Sequence, residues 1–291
     1  MTHHIPVLLE PTLEGLDIQP NDHVVDGTMG FGGHSHEILQ KLGPNGRLLG
    51  IDQDPFALAF CAEKFKNDSR VCLEAANFVD LATVLNKHPD FHPTKVLVDL
   101  GVSSYHIDSA GRGFSYLKDE PLDMRMNPKK GRTAADILNK EPAEVLIKLF
   151  KDFGELPRPE AFVNHIVSCR KYERLTHTSQ LQAAIKTCFK FGDSRPKMLR
   201  IFAQIFQALR IAVNHELDIL LPFLKTLETL PAGARIAIIT FHSLEDRLIK
   251  HGVKDSAAFK PLTKHVIQAT QDEIRANSRA KSAKLRIFER C

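Results

Sequence analysis

Short runs of β-branched and aliphatic residues recur along the chain, and each run is too short to form a helix. The first three runs are followed by segments whose apolar residues return at roughly helical spacing. The runs are residues 23–26, 47–52, 71–75, 96–100 and 235–241, and the helical segments are residues 34–42, 55–66 and 78–87. Strands that alternate with helices in this way predict an α/β fold, in which helices cover both faces of a parallel sheet.

The alternation stops between the fourth and fifth predicted strands, where a long stretch of different character intervenes. It opens with a loop-like segment rich in Gly, Pro and charge, residues 109–132, and continues with helical patterns at 134–139, 143–151 and 199–220. This arrangement predicts a helical domain inserted into the sheet domain. The predicted boundaries give a first part of the sheet domain at 1–104, the insert at 105–210 and a second part of the sheet domain at 211–291.

The segment 284–289 follows a different pattern, in which Leu285 and Ile287 alternate with charged neighbours. Such alternation is typical of a strand with one buried and one solvated face. We therefore expect a final strand at the edge of the sheet.

The composition shows no sign of a membrane or secreted protein. Of 291 residues 43% are hydrophobic and 25% charged, no apolar run approaches the ~20 residues of a membrane span, and the N-terminus lacks a secretory signal. The five cysteines are odd in number and form no C-x-x-C pair, which argues against a disulfide framework and a structural zinc site. We expect a cytoplasmic protein with reduced, mostly buried thiols and no metal cofactor, although an auxiliary magnesium ion stays open.

The net charge of +4 is unevenly distributed along the chain. Residues 105–210 hold 19 Lys and Arg against 12 Asp and Glu, a net +7, and residues 275–291 hold six against one, a net +5. The remainder of the chain is therefore −8. Basic segments on an acidic body favour a polyanionic partner, because Lys and Arg neutralise phosphates and release counterions. The alternative is that these charges belong to solvated helix faces.

A glycine-rich turn separates the first predicted strand from the first helix and reads DGTMGFGGH from Asp26 to His34. Glycines permit positive φ angles and let a ligand approach the backbone closely. The second predicted strand ends at Asp52, 22 residues after Gly30, where a carboxylate can accept both hydroxyl protons of a ribose. A glycine turn paired with such an acid is the nucleoside-binding geometry of doubly wound sheets.

Details of the turn discriminate between possible ligands. A P-loop requires a lysine that this turn lacks, which disfavours a nucleoside triphosphatase. The spacing of Gly30, Gly32 and Gly33 is not G-x-G-x-x-G, and Asp26 suits a ligand that carries an amino group and a sulfonium charge. The turn therefore favours S-adenosylmethionine over a dinucleotide. A nucleotide-dependent oxidoreductase stays the main alternative, and a turn without a ligand is a further one.

Two more residues fall at the carboxyl ends of predicted strands. Phe78 follows the third strand and could stack on an adenine or simply belong to the core, and Asp99 ends the fourth strand. Ligands of open α/β sheets bind beyond the carboxyl ends of the strands, where Asp26 and Asp52 also fall. Four suitable residues at one edge indicate a ligand site there.

Eight motifs in the chain closely resemble the bacterial family of small-subunit ribosomal RNA (cytosine-N4)-methyltransferases. They are HIPVLL at 4–9, DGTMGFGGHS at 26–35, DLGVSS at 99–104, RGFS at 112–115, PLDMRM at 121–126, FQALRI at 206–211, FHSLEDR at 241–247 and SAKLR at 282–286. The motifs are long, unusual and spread over nearly the whole chain. The resemblance implies a Rossmann-like class I methyltransferase sheet with an inserted domain.

The resemblance also implies the cofactor and the substrate. The cofactor is S-adenosylmethionine, and the acceptor is the N4 amino group of a cytidine in the decoding region of 16S ribosomal RNA, within the small ribosomal subunit. The family's cofactor contacts correspond to Gly32, Gly33, His34, Asp52, Phe78, Asp99 and His106. Many members have glutamine where this chain has His106, so the hydrogen-bond pattern at that contact is expected to differ.

Methylation of an amine needs in-line approach of a poorly nucleophilic nitrogen and an acceptor for its proton. Methylation of a ring carbon would need a cysteine nucleophile, and no cysteine lies directly after the fourth predicted strand. The (Asp/Asn)-Pro-Pro-aromatic motif of many amino-directed methyltransferases is also missing there. We hypothesise that Asp99, with Ser103 and Ser104, orients the amine. Asp123 and His242 are secondary candidates for the base, and His242 could instead cap the next helix with Ser243.

The basic segments supply the expected RNA contacts. They are Arg112, Arg125, Lys129, Lys130 and Arg132 in the insert, and Arg279, Lys281, Lys284 and Arg286 near the end of the chain. The target base must be unstacked to reach a donor at the sheet edge. A non-catalytic RNA-binding factor with a vestigial cofactor pocket is a third alternative, and the oligomeric state is not predicted.

Overall fold

The structure, a computed structural model, describes residues 6–101, 107, 111–192 and 194–291. The chain divides into two compact units. The first unit consists of Met1–Gly101 and Leu217–Cys291, and the second unit is Val102–Glu216. The second unit is thus a continuous insertion, and it ends six residues beyond the expected boundary at 210.

The first unit contains a mostly parallel sheet, which confirms the predicted α/β class. Its strands are β1 His23–Asp26, β2 Arg47–Asp52, β3 Val71–Ala75, β4 Lys95–Asp99, β5 Arg235–Thr240, β6 Phe259–Pro261, β7 Ile267–Gln268 and β8 Lys284–Arg290. The order across the sheet is β3-β2-β1-β4-β5-β8-β6, with β7 paired to β8. Strands β1 to β5 run parallel, so their carboxyl ends share one edge. The strand order reverses between β1 and β4, which is where open sheets bind ligands.

The first helix of the first unit precedes β1, and the others lie between the strands in the chain. They are α1 Leu9–Leu16, α2 Gly33–Lys41, α3 Pro55–Lys64, α4 Leu81–Asn86, α10 Leu220–Leu227, α11 Ser243–Asp255 and α12 Gln271–Ala276, with short 3-10 helices at Phe78–Asp80 and Ser278–Ser282. The segment 78–87 therefore begins as a 3-10 turn instead of an α-helix. Asn77 caps this turn by accepting a hydrogen bond from the Val79 amide.

Both faces of the parallel sheet are buried, as its continuous apolar runs require. Consecutive residues of one strand point to opposite faces. Val24 accordingly packs into the cluster that contains Leu48 and Leu97, whereas Val25 packs into the cluster that contains Leu49 and Val98. The short apolar runs identified in the sequence are thus strands covered on both sides.

The expectation that residues 284–289 form an edge strand is wrong. Strand β8 pairs antiparallel with β5 on one side and with β6 and β7 on the other. The two covering strands contain three and two residues, too few to show a periodic pattern in the sequence. Ile287 and Phe288 are consequently both buried, on opposite faces of the sheet.

The second unit is helical and has a core of its own. Its described helices are α5 Ala134–Lys140, α6 Ala143–Asp152, α7 Glu160–Cys169, α8 Thr178–Cys188 and α9 Arg195–Asn214. The largest fully buried side chains include Phe150 and Phe162, whose rings meet edge to face with centroids 5.2 Å apart. Apolar residues of all five helices complete this core.

The predicted helix at 199–220 is wrong at both ends. Helix α9 begins at Arg195, where the Ser194 hydroxyl accepts a hydrogen bond from the Lys197 amide at 3.4 Å. It ends at Asn214, because His215 adopts a left-handed conformation with φ of 54°. The apolar residues keep a helical spacing into α10, so the periodicity of the sequence does not show where α9 ends.

The described part of the predicted loop at 109–132 has little regular structure and is held by side chains. Arg112 is buried, and its Nη1 donates to the carbonyl oxygens of Arg125 and Met126 at 2.9 Å each. Asn214 donates to the carbonyl of Met124 and accepts from the amide of Met126, both at 2.8 Å. The loop is therefore fixed to the end of α9.

The cysteines are all free thiols, but only Cys61 is fully buried, so the expectation of mostly buried thiols is wrong. Cys72, Cys169 and Cys188 are partly buried, and Cys291 is exposed. Among the described helices, none is both long and apolar enough to cross a membrane.

Candidate cofactor and active site

The glycine turn joins the end of β1 to the start of α2 in a conformation that favours glycine. Gly30 and Gly32 have φ angles of 52° and 66°, in the left-handed region. A Cβ atom on Gly27 would lie 3.0 Å from Val98 Cγ2 and 3.1 Å from Phe78 Cβ. The turn therefore approaches β4 too closely for larger residues at its start.

Helix α3 holds the turn from one side. The Cys61 thiol donates to the Gly30 carbonyl at 3.2 Å, and Lys64 Nζ donates to the carbonyls of Phe31 and Gly32 at 3.1 and 2.8 Å. Burial raises the pKa of Cys61 to about 12, so the thiol keeps its proton for this bond. Three successive carbonyl oxygens of the turn are thus occupied by α3.

Asp52 holds the same turn from the end of β2. Its Oδ2 accepts from the Gly30 amide at 2.7 Å, and its Oδ1 accepts from the Asp54 amide at 2.8 Å. A carboxylate offers about four lone-pair positions, so the Asp52 carboxylate has the capacity to accept further hydrogen bonds. The arrangement is suited to the two hydroxyl groups of a ribose.

Asp26 is buried at the end of β1 and braces the structure internally. Its Oδ2 accepts from the Ser35 hydroxyl at 2.6 Å and its Oδ1 from the Thr28 amide at 3.2 Å. Burial raises the pKa of this carboxyl above its ordinary value. Through Ser35, Asp26 fixes the first turn of α2 against the sheet.

Asp99 lies at the end of β4, beside the turn. Its amide donates to the Thr28 hydroxyl at 2.6 Å, and its Oδ1 accepts from the Gly101 amide at 3.0 Å. The side chain is 23% exposed. Burial raises its pKa to about 6, so at neutral pH the group is mainly a carboxylate with a strong demand for a hydrogen-bond donor.

His34 lies in the first turn of α2, and its ring nitrogen Nδ1 provides a hydrogen-bond acceptor close to the Asp99 carboxylate. Its Nε2 lies 3.0 Å from the Val7 carbonyl, which can only accept, so Nε2 carries the proton. Burial lowers the pKa of His34, and the neutral ring then has an unprotonated Nδ1, 4.0 Å from Asp99 Oδ2. Two acceptors at this distance suit a donor such as an ammonium group.

Phe78 is 8% exposed, and its ring meets Phe223 edge to face with centroids 4.9 Å apart. Its Cβ lies against Gly27, so it packs under the start of the turn. The sequence left two roles open for Phe78, stacking on an adenine and packing in the core, and the structure shows the packing in the core. An adenine could contact only the small exposed part of the ring.

Three of the residues expected at the site, Ser103, Ser104 and His106, lie outside the described residues. Asp123 belongs to the second unit, where its carboxylate forms a bidentate pair with Arg125 at 2.7 and 2.9 Å. This pair anchors the loop that also contains Arg112.

His242 is the N-cap of α11, and the cap is its own imidazole instead of Ser243. Its Nδ1 accepts from the Glu245 amide at 3.4 Å, and Glu245 Oε2 accepts from the amides of Phe241 and His242 at 2.9 and 3.3 Å. His242 Nε2 lies 3.0 Å from Glu245 Oε1, and both side chains are almost fully buried. These contacts match the capping alternative considered for this residue.

The residues expected to bind RNA fall into two groups. Lys129, Lys130, Arg132 and Lys281 are exposed, although Arg132 pairs with Glu141 at 2.5 Å. Arg125 pairs with Asp123, and Lys284 and Arg286 pair with Asp246 at 3.4 and 2.7 Å. Arg279 is partly buried.

Arg112 is a buried member of the set. It is 8% exposed, and its guanidinium donates to two backbone carbonyls, so it braces the loop, and its contact with RNA stays a prediction.

Four residues that organise the site were not predicted from the sequence. Thr28 and Ser35 lie in the turn motif, and hydroxyls next to buried acids were a signal that could have identified them. Cys61 and Lys64 lie 31 to 33 residues from the carbonyls that they contact, and no local pattern connects them to the turn.

The residues at this edge fit S-adenosylmethionine. The left-handed conformation of Gly30 and Gly32 shapes a turn whose backbone a ligand can approach, Asp52 suits the ribose, and the acceptors of Asp99 and His34 suit an amino group. A pyrophosphate would be opposed by Asp26, Asp52 and Asp99, which give this edge a negative character.

Comparisons with known proteins agree with this chemistry. Ribosomal RNA small subunit methyltransferase H of Flavobacterium johnsoniae is 40% identical over 306 residues, covering 100% of this chain and 98% of the relative. The proteins of the same name from Bacteroides fragilis and Heliobacterium modesticaldum are 39% and 40% identical, each covering 99% of this chain and 98% of the relative. The model of the MraW methylase family matches residues 1–291. The chain therefore belongs to the MraW methylase family, whose members are S-adenosylmethionine-dependent methyltransferases.

Proposed function

We propose that this enzyme methylates the N4 amino group of a cytidine in the decoding region of 16S ribosomal RNA. The observation that carries the proposal is the carboxyl edge of the sheet, where the glycine turn, Asp52 and Asp99 form a site suited to the methyl donor. The relatives' names support a ribosomal RNA substrate in the small subunit. The subunit as substrate would place the reaction in the cytoplasm.

The residues of the turn and the strand ends would hold the cofactor. Asp52 would accept from the ribose hydroxyls, and Gly32 and Gly33 would let the ligand contact the backbone. Asp99 and His34 would accept from the amino group, and Phe78 would lie near the adenine. His106 stays in the proposed set. When bound, S-adenosylmethionine supplies an electrophilic methyl group on a sulfonium.

Asp99 is also our first candidate for the proton acceptor at the target amine. The cytosine N4 lone pair is delocalised into the ring, so a carboxylate that accepts an N–H hydrogen bond increases the nucleophilicity of nitrogen. The amine would form a bond to the methyl carbon as the sulfur–carbon bond breaks and its electron pair stays on the sulfur of a neutral thioether. The amine would also lose one proton, which Asp99 would take and release to water.

The other candidates for the base rank below Asp99. His242 caps α11 through Nδ1, while its buried Nε2 lies 3.0 Å from Glu245 Oε1 and forms no hydrogen bond among the described residues. Asp123 pairs with Arg125. Both residues hold backbone segments in place, so we rank them as secondary candidates.

The decisive experiment uses small subunits from a strain that lacks the modification, incubated with labelled S-adenosylmethionine. We expect one labelled nucleoside, N4-methylcytidine, after digestion and chromatography. Label in another nucleoside would refute the N4 assignment.

Calorimetric binding of the cofactor separates the alternatives when no label is transferred. Cofactor binding without transfer would indicate a non-catalytic RNA-binding factor, and binding of NAD instead would indicate an oxidoreductase. Asp52→Ala serves as the control variant, because it should lose cofactor affinity and transfer together.

A further inference from the structure

The positive charge of the inserted segment is concentrated at the corner between α8 and α9. Residues 186–200 contain five basic residues and one acid, Asp193, which lies outside the described residues. They contribute +4 of the net +7 that residues 105–210 carry. The five basic residues, which we name the corner cluster, are Lys186, Lys190, Arg195, Lys197 and Arg200.

All five side chains of the corner cluster are exposed. Elsewhere in the second unit several cations are matched by nearby acids, such as Lys140 with Asp136 at 2.7 Å and Lys148 with Asp152 at 2.6 Å. Among the described residues, no member of the corner cluster forms an ion pair. The corner cluster therefore presents uncompensated charge to solvent.

The backbone of this corner is fixed by aromatic residues. Phe189 packs against Phe162 with ring centroids 5.7 Å apart, and Phe191 packs against Phe202 at 6.4 Å. Lys190 lies between these two inward-facing rings and points outward. The loop thus presents its lysine from an anchored backbone.

The position of the cations on α9 is unfavourable for the isolated protein. Arg195 and Lys197 lie in the first turn of this helix, which contains no acid. Positive charges at a helix N-terminus oppose the macrodipole, typically by about 0.3–1 kcal/mol each. Lys197 and Arg200 are three residues apart and so share the exposed side of the helix, opposite buried Ile201, Phe202 and Ile205.

We infer that the corner cluster binds the phosphate backbone of the RNA substrate. Phosphate contacts need exposed, uncompensated Lys and Arg and position the nucleic acid without reading its sequence. A membrane surface is the less suitable polyanion, because an interfacial helix inserts an apolar face, and the apolar face of α9 is buried in the core. The inference rests on the proposed function and extends it to residues of the insert that were not among the RNA contacts named from the sequence.

The test compares two double variants that each remove two positive charges from the second unit. Lys197→Gln with Arg200→Gln alters the corner cluster, and Lys140→Gln with Lys148→Gln alters two ion-paired lysines as the matched control. Binding of the full chain to unmodified small subunits is measured from about 0.05 to 0.3 M salt. Methyl transfer, cofactor affinity and thermal unfolding are measured for both variants.

The corner variant should bind subunits about tenfold more weakly near 0.1 M salt, and its salt slope should fall by about one to two. Its cofactor affinity and unfolding temperature should not decrease, whereas the control should resemble the wild type throughout. An unchanged salt slope in the corner variant would overturn the inference.

Two further outcomes separate this inference from the proposed function. If the wild type neither binds nor methylates subunits, the proposed function fails first. If the corner variant keeps its affinity for subunits but loses binding to vesicles that contain phosphatidylserine, the partner is a membrane and the inference is wrong.

Discussion

Asp99 changes its charge within the pH range in which the enzyme can be assayed, because burial raises its pKa to about 6. The affinity for S-adenosylmethionine should therefore fall as the pH decreases from 7.5 to 5, by about tenfold, since one favourable charge is lost at the site. Calorimetric titration across this range tests the prediction. Asp99→Asn should bind weakly at every pH, and a parallel fall in this variant would show that another group is responsible.

The same pKa predicts an effect on stability. The folded protein holds the Asp99 proton more tightly than the unfolded chain, whose carboxyl has a pKa near 3.8. The free energy of unfolding should therefore decrease as the pH rises from about 4 to 6. At higher pH Asp99 is ionised, and the free energy of unfolding should stay at this lower value.

Asp99→Asn should accordingly raise the free energy of unfolding at pH 8, by up to about 3 kcal/mol, and have little effect below pH 4. Denaturant unfolding at both pH values measures this difference. An equal effect at pH 3.5 and pH 8 would mean that the change arises from packing.

The sequence could predict acids at the sheet edge because each follows a recognisable strand. Asp26, Asp52 and Asp99 are the last residues of β1, β2 and β4. It could not predict which of these carboxylates face a ligand. That distinction depends on the Ser35 hydroxyl, which engages Asp26, and on His34, which is brought to Asp99 by the start of α2.

Helix α3 positions the glycine turn through a side chain far away in the sequence. Lys64→Met removes both hydrogen bonds to the turn carbonyls but keeps a side chain of similar length. We expect the KM for S-adenosylmethionine to rise about tenfold, while kcat at saturating cofactor changes less than about twofold, because the loss of two such bonds weakens the binding conformation of the turn.

Lys66→Met is the matched control for this prediction. Lys66 lies just beyond the same helix, is 57% exposed and pairs with Glu63. Lys64→Arg should restore part of the affinity, because it retains a cationic donor. If kcat falls as much as KM rises in Lys64→Met, the lysine has a different role.

Elements of the fold differ in how far the sequence could predict them. Strands β1 to β3 have the predicted bounds, because each is a short run rich in β-branched and aliphatic residues that ends before a turn or helix. The position of β8 could not be predicted, since it is set by pairing with β6 and β7. The end of α9 could not be predicted either, because a single left-handed residue, His215, interrupts an apolar pattern that continues beyond it.

At the scale of the whole molecule, the two units have separate cores. Phe150 is fully buried in the second unit, and Phe223 is fully buried in the first, against Phe78. Phe150→Ala should destabilise the second unit by about 3–5 kcal/mol and leave the affinity for S-adenosylmethionine within about twofold.

Phe223→Ala should cause a similar loss of stability and also weaken cofactor binding, because it removes support from Phe78. Scanning calorimetry with cofactor titration measures both effects. Equal losses of cofactor affinity in the two variants would mean that the cores are energetically one.

The insertion could be predicted because a strand pattern stops and later resumes. Its second boundary could not be placed, since residue 210 lies inside α9. The last residue of that helix, Asn214, donates to the Arg210 carbonyl within the helix and to the Met124 carbonyl of the loop.

The chain enters the second unit at residue 102, only three residues after Asp99. Asp99 Oδ1 accepts a hydrogen bond from the Gly101 amide, so the same short piece of backbone both ends the proposed cofactor site and begins the second unit. A second unit transplanted from a distant relative would therefore bring a foreign junction to the carboxylate. Acceptor specificity and donor affinity should consequently be hard to exchange separately, and we expect chimeras to recover activity only when residues 99–101 are exchanged together with the insert.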